Sequence, residues 1–482
     1  MTPPASPHLG EPRVTAAPYL SMKGAAVALL VAIVLFWPML LADGPLYYND
    51  TYYYWERGNK IAAYLSGQPF EIEGAGTNLT ANADLRAGMM VRSLPYAVYT
   101  YLTGASPLGL YLLCLLQGAA VLWAFFALVP PLDRSHRPAL LAGFAFVALG
   151  SSLPWFVSYA MPDILGAIPV IYYVCMARRI DELGAWQRFA LLMLTIGAIT
   201  THYGNVPLSI GLAGAVVAWR AVRGSLTRNA LILTIAPVLA ALALNMTAGV
   251  VATHEASPAP KRLPIMLARS LEDGPARWYL DDVCPEAGYT MCEIFETMPD
   301  NISDFLWTND KFGTASDAQI DGVREEELTI LWEAFKRYPA EQTGAIFGNA
   351  TRQVFTIGTD QLYPLRPEQS AMDLTGLISP DVQVDKPAGF AMFDMVVPWA
   401  TLAAAILLAG AIITGRVAPI YVEAAAILAL ALIINAAIFG GLSAPVDRYQ
   451  GRIAWLIPAL LALALATRMR SASPSGTLAA ST

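Results

Sequence analysis

Five polar clusters stand out in this chain, and each carries residue types able to do chemistry. The first is Tyr47-Tyr48-Asn49-Asp50-Thr51-Tyr52-Tyr53-Tyr54-Trp55-Glu56-Arg57, an acid set among aromatics. A carboxylate partly withdrawn from water gains a raised pKa and suits general-base work. Aromatic rings such as Tyr54 stack on sugars and isoprenoid chains. Asp50 has equally the type and place of a helix cap over 51–65. The second is Pro154-Trp155-Phe156-Val157-Ser158-Tyr159-Ala160-Met161-Pro162-Asp163, where Asp163 either starts a helix behind Pro162 or faces Asp50 as a second acid. The third, Thr201-His202-Tyr203-Gly204-Asn205, holds one of four histidines. His202 is either a hydrogen-bonded structural residue or a ligand contact. The fourth is Asp447-Arg448-Tyr449-Gln450-Gly451-Arg452. Its guanidiniums either pair with acids or grip a phosphate bidentately. The fifth is Arg92 with Tyr96, placed to line the same cavity.

The elements that must position these residues are membrane helices. The chain has 482 residues, 56% apolar and 14% charged, with a net charge of −7. A soluble globular chain carries about 25% charged residues. A nucleic-acid footprint would be basic. The composition therefore excludes a soluble enzyme, a disordered chain and a nucleic-acid binder. A helical span needs roughly 20 mostly apolar residues. Ten stretches qualify or come near: 24–41, 107–129, 138–159, 162–177, 189–201, 206–219, 230–251, 393–414, 418–439 and 453–466. The fold class is thus an all-α polytopic membrane protein of about ten transmembrane helices.

Positive charge in short loops sets orientation. With ten spans, Arg13 and Lys23, Arg134 and Arg137, then Arg178, Arg179 and Arg188 fall on one side. Arg220, Arg223, Arg228, Arg416, Arg468 and Arg470 join them. Both termini are then cytoplasmic, and every polar cluster above faces outward. The two arginines of the fourth cluster break the positive-inside pattern. The stretch 91–102 is read as interfacial or re-entrant, because counting it as a span inverts every later loop. Its tyrosines suit the interface.

This order gives a disordered cytoplasmic tail at 1–23 and an N-terminal module of seven spans at 24–251. That module carries an outer loop at 42–106. An extracytoplasmic domain follows at 252–391, then a module of three spans at 392–470 and a tail at 471–482. The outer domain holds 23 acidic and 11 basic residues. It is mainly helical: Leu328, Leu331, Trp332 and Phe335 recur at spacings of three and four, as do Ile346, Phe347, Ala350 and Val354. Cys284 and Cys292, two of four cysteines, read as a disulfide on the oxidising side. Free thiols remain open, as does a metal site, though no His partners them. Asp394 reads as the cap of the eighth span. No P-loop, dinucleotide fingerprint or HExxH zinc motif occurs. The Ala-rich, Arg-over-Lys composition points to a bacterial inner membrane, which makes the outer domain periplasmic.

The layout and motifs resemble the GT-C superfamily of polytopic membrane glycosyltransferases. Asp50 with Tyr54 falls where that family has an acid soon after the first span. Pro162-Asp163 is similar to its second acidic hairpin, and Arg448-Tyr449 to a late Arg-Tyr near the lipid phosphate. The Pro-Trp-Phe and Met-Pro-Asp hairpin is also similar to that of an uncharacterised group of bacterial multi-pass proteins. The resemblance implies transfer of a sugar from a polyprenyl-phosphate donor to a glycan, lipid or protein acceptor. It implies Asp50 as base, with Asp163 as second acid. Arg448 would lie on the lipid phosphate, with Tyr449, Arg452, His202, Tyr54 and Arg92 around the substrate. It admits a divalent metal, but Asp50 is followed by Thr51, and the next acid is Glu56. The family's Asp-Glu or Asp-x-Asp pair is missing.

Two other classes fit the composition. A lipid or glycan transporter or flippase requires ionisable residues deep within spans and broken helices in paired halves. Glu423, near a cytoplasmic end, is the exception among spans poor in charge. A non-enzymatic assembly factor acting through the outer domain requires that the outer motifs stay apart in space.

Overall fold

A single short helix, apolar on every side, forms the centre of the molecule. In the computed structural model, α4 (Ala167–Arg178) has every residue from Ala167 to Ala177 buried. A helix hydrophobic all round belongs inside a bundle. Around it stand α2 (Pro107–Phe126), α5 (Ala185–Thr200), α6 (Asn205–Val222), α7 (Arg228–Thr253) and α13 (Pro419–Ala436). The shell is completed by α1 (Leu94–Thr103), α3 (Arg137–Gly150), α12 (Ala388–Ile413), α14 (Asp447–Ala454) and α15 (Leu456–Arg468). The structure describes residues 31, 33–42, 44–48, 50–51, 54–55, 58, 61, 66, 92–103, 107–129, 136–253, 256–259, 262–307, 310–364 and 388–468. The tails 1–23 and 471–482 and residues 24–30 and 32 of the stretch 24–41 lie outside them.

Among the described residues, six helices are long and apolar enough to cross a membrane: Leu108–Phe126, Asn205–Val222, Arg228–Val251, Gly389–Ile413, Pro419–Gly441 and Asp447–Thr467. The chain is a multi-pass, all-helical membrane protein. Two expected spans come out shorter and a third comes out longer. The stretch 138–159 breaks at Ser151-Ser152 into α3 and a second helix, Leu153–Val157, because Ser151 turns its hydroxyl onto Val147 O and Pro154 cannot continue the ladder. The stretch 162–177 becomes a 3-10 turn, Pro162–Gly166, followed by α4. The stretch 189–201 falls on α5, whose 16 residues begin at Ala185 and end at Thr200, with Thr201 as the cap. The re-entrant stretch is the helix α1, lodged against α2 and α7. Asp394 does not start a helix: it sits inside α12 and accepts a hydrogen bond from Thr359.

The domain 252–391 has its own core among the described residues. Leu267, Leu271, Leu280, Phe295, Phe305, Val323 and Ile330 cluster between α8 (Ile265–Asp273), α9 (Pro275–Val283) and α10 (Asp317–Arg337). Ser316 and Gln319 form a capping box at the start of α10. Glu327, fully buried, accepts from the amides of Met266 and Leu267, both at 3.1 Å, and pairs with Arg262. Cys284 and Cys292 are disulfide-bonded, with Cα atoms 5.5 Å apart. The expected apolar stripe of α10 is not its buried face. Val323, Glu327, Ile330 and Ala334 face the core, whereas Leu328 and Trp332 are 62% and 58% exposed.

The domain is fixed to the bundle through α11 (Pro339–Phe355). It packs on α13, on α14 and on the single π turn Ala437–Gly441 that ends α13. Contact is so close at Gly440 that a Cβ there would lie 2.6 Å from Asn349 O. Gln353 locks the start of α14, donating to Val446 O at 2.9 Å and accepting from its amide at 2.8 Å.

Candidate functional site

Three distant segments meet in a small ribbon. Leu46–Tyr47 pairs antiparallel with Tyr363–Pro364. On its other side, Leu46 bonds to the 158–160 hairpin, donating to Ser158 O at 2.7 Å and accepting from the Ala160 amide at 2.9 Å. This clasp brings Asp50 over the hairpin that carries Asp163. The 3-10 turn Pro162–Gly166 rests in turn on α14, whose first residues hold Arg448 and Arg452.

Asp50 lies between two guanidiniums. Arg92 donates Nη2–H to Oδ1, and Arg448 donates Nη1–H to Oδ2 at 3.3 Å. The three side chains are 11–14% exposed. Burial alone would push the Asp50 carboxyl up, but Arg92 and then Arg448 outweigh it and hold it below the usual range. The raised pKa expected from the aromatic surroundings is thus reversed, because the arginines supply charge that the sequence motif does not contain. Arg448 is cradled by rings: its Cζ lies 4.4 Å from the Tyr48 centroid and 5.0 Å from that of Tyr449.

Asp163 contrasts with Asp50. It is 1% exposed, and neither carboxylate oxygen meets a hydrogen-bonding side chain among the described residues. Its charged neighbours are Arg448, Arg452 and Asp50. Arg452 is fully buried beneath the site. Its Nη2 donates to Asn435 Oδ1 at 2.9 Å, and its Cζ lies 4.4 Å from the Phe439 ring. Its Nε and Nη1, like Arg448 Nε, have no partner among the described residues. Buried polar atoms left in this state call for a further partner, whether water, an ion or a ligand.

His202 sits between α5 and α6 with its ring 5.4 Å from Phe439 and 6.4 Å from Tyr449. Its Nδ1 accepts from the Gly204 amide at 3.1 Å. Burial, with Arg452, Arg448 and Arg92 around it, pushes its pKa well down, so the imidazole is neutral. Gly204 is required here, since a Cβ would lie 2.1 Å from Phe439 Cζ. Tyr54 is buried and meets Tyr96 edge-on at 4.7 Å. Tyr96 donates to Gln117, which donates to Tyr159 O.

All eight expected site residues therefore belong to one buried constellation, drawn from five segments of the chain. Three residues escaped the sequence reading. Asn435 bridges Arg452, Gln450 and the Tyr449 carbonyl, Phe439 supports Arg452, His202 and Tyr449, and Gln117 braces Tyr96. A lone amide in an apolar helix was the available signal for Asn435 and Gln117. Among the described residues no group of three or more His, Cys, Asp or Glu is placed to hold a metal. Asp50 offers no free oxygen to an ion, because both its oxygens are taken by guanidiniums.

At the opposite end of the bundle lies a second charged set. Glu423 pairs with Arg223 at 3.0 Å and Arg178 at 3.8 Å. Arg220 binds Asp181 at 3.1 Å and Met176 O at 2.6 Å. No family model, no curated protein and no solved structure matches the chain.

Proposed function

We propose that the chain is a membrane glycosyltransferase that moves a sugar from a polyprenyl-phosphate donor to an acceptor on the extracytoplasmic face. One observation carries the reading. Two guanidiniums with unpartnered buried nitrogens, Arg448 and Arg452, stand beside a buried carboxylate that no side chain satisfies, Asp163. An anionic donor answers the first, and a hydroxyl acceptor answers the second.

In this reading the acceptor hydroxyl attacks the anomeric carbon while its proton passes to Asp163. The anomeric bond to the phosphate oxygen breaks, and the sugar inverts. The phosphate charge grows from one to two as the polyprenyl phosphate departs, and Arg448 meets that growing charge. Asp50, expected as the base, is instead a positioning residue. Held ionised by Arg92 and Arg448, it aims both guanidiniums. Arg452 lies behind, Tyr48 and Tyr449 set the plane of Arg448, and His202 and Tyr54 wall the site.

The arginine-rich end, with Arg178, Arg179, Arg220 and Arg223, faces the cytoplasm by the positive-inside rule. The site end and the domain 252–391 then lie outside, in the periplasm of a bacterial inner membrane. The ten-span count follows if the short helices α3 to α5 and the stretch 24–41 cross as well. The convergence of the outer clusters disfavours an assembly factor. Glu423, paired to cytoplasmic-end arginines, gives a lipid or glycan flippase no charge at mid-membrane.

The test is transfer from radiolabelled polyprenyl-phosphate sugars in membranes containing the chain. Asp163→Asn should abolish transfer while sparing donor binding, and Arg448→Ala should weaken donor binding. Full transfer by Asp163→Asn, or unchanged donor affinity in Arg448→Ala, would overturn the assignment.

A further inference from the structure

The outer domain carries an apolar groove that its own core does not use. Leu328, Leu331, Trp332 and Phe335 of α10 form one wall, with Trp332 stacked on Phe335 at 5.6 Å. Ile346 of α11 and Leu442 form the other, and the volume is about 290 Å³. Arg269 and Gln342 are the polar residues at its edge.

Two observations say what covers it. The floor includes Gly441, the last residue of the span Pro419–Gly441, so the groove opens where a membrane helix leaves the bilayer. Beside it, the outward face of α11 is uncharged from Gln342 to Thr351, with Phe347 69% exposed and Phe355 71% exposed. Arg352, exposed on the same face, has no carboxylate partner among the described residues. An aqueous surface would be charged there. An apolar helix face flanked by a cation belongs at the boundary of headgroups and acyl chains.

We propose that this groove seats an acyl chain of a bilayer lipid from the leaflet beside Gly441. Phe347 and Phe355 rest in the same leaflet, and Arg352 meets a headgroup phosphate. The inference needs the membrane spans but not the transfer reaction.

The full chain in lipid nanodiscs tests it. Phe347→Cys and Phe355→Cys give single labelling sites, because Cys114 and Cys175 are buried and Cys284 is bonded to Cys292. Nitroxides there should favour oxygen over a water-soluble nickel chelate several-fold more than one at Glu286→Cys, on an exposed turn of the domain. Water-like ratios would overturn the proposal. So would shielding from both reagents, which would mean a protein partner or a second copy. Lipids brominated along the acyl chain should quench Trp332, read as the difference between the native chain and Trp332→Phe. Equal quenching in the two chains would overturn the seating of a lipid in the groove.

Discussion

The two acids of the site differ in what surrounds them, and that difference decides what each can do. Asp50 is the shared counter-ion of Arg92 and Arg448, so Asp50→Asn should cost about 3 kcal/mol by stranding two guanidiniums. A lower denaturant midpoint in detergent would report it. The sign of its pH dependence follows. Its folded pKa lies below the ordinary 3.8, so the pair's contribution is whole above 3.8 and is lost as pH falls through the folded value. Asp50→Asn should lack that acid loss. His202 behaves differently. Below its ordinary 6.5 the unfolded chain takes up a proton that the folded chain refuses, so stability declines as pH drops from 6.5. His202→Gln, which keeps an acceptor for the Gly204 amide, should flatten that part of the profile in the same unfolding experiment.

At the scale of elements, the π turn is what seats the site. It carries Phe439 to His202, Tyr449 and Arg452 and sets Gly440 against α11. Gly204→Ala drives a methyl into the Phe439 ring and should cost about 1–3 kcal/mol. It should also reduce donor binding, measurable by titration with the polyprenyl-phosphate sugar, because Arg452 loses its support. The site's acids and arginines were legible in the sequence because ionisable residues are scarce in so apolar a chain. Their partnering was not: Asp50 meets Arg448 across 398 residues, and no local pattern encodes that. The stripe Leu328–Trp332 marked the helix α10 correctly but not its packing, for a related reason. Helical spacing reveals an apolar face but not which surface it meets, and here a different face of α10 holds the core. Helix bounds departed from the expected ones at Ser151-Ser152 and at Pro162, where composition stays apolar while the backbone turns.

For the whole molecule, charge is segregated to two ends of one bundle. The orientation this implies is open to direct labelling. A membrane-impermeant maleimide should modify Glu286→Cys in intact cells. It should reach Ala185→Cys, exposed at the start of α5, only after permeabilisation. The reverse pattern would place the site on the cytoplasmic face.

The ribbon of Leu46–Tyr47, Tyr363–Pro364 and the 158–160 hairpin also bears on how the protein is made. A ribosome delivers its strands in three widely spaced instalments, and Arg448 later still. Through most of synthesis Asp50 therefore waits without one of its cations, and the first modules sit in the membrane with the constellation incomplete. Closure of the clasp and arrival of α14 are late events of biogenesis. Two fragments divided between α12 and α13 should accordingly be inert when made separately. They should regain donor binding only when both are inserted into the same membrane.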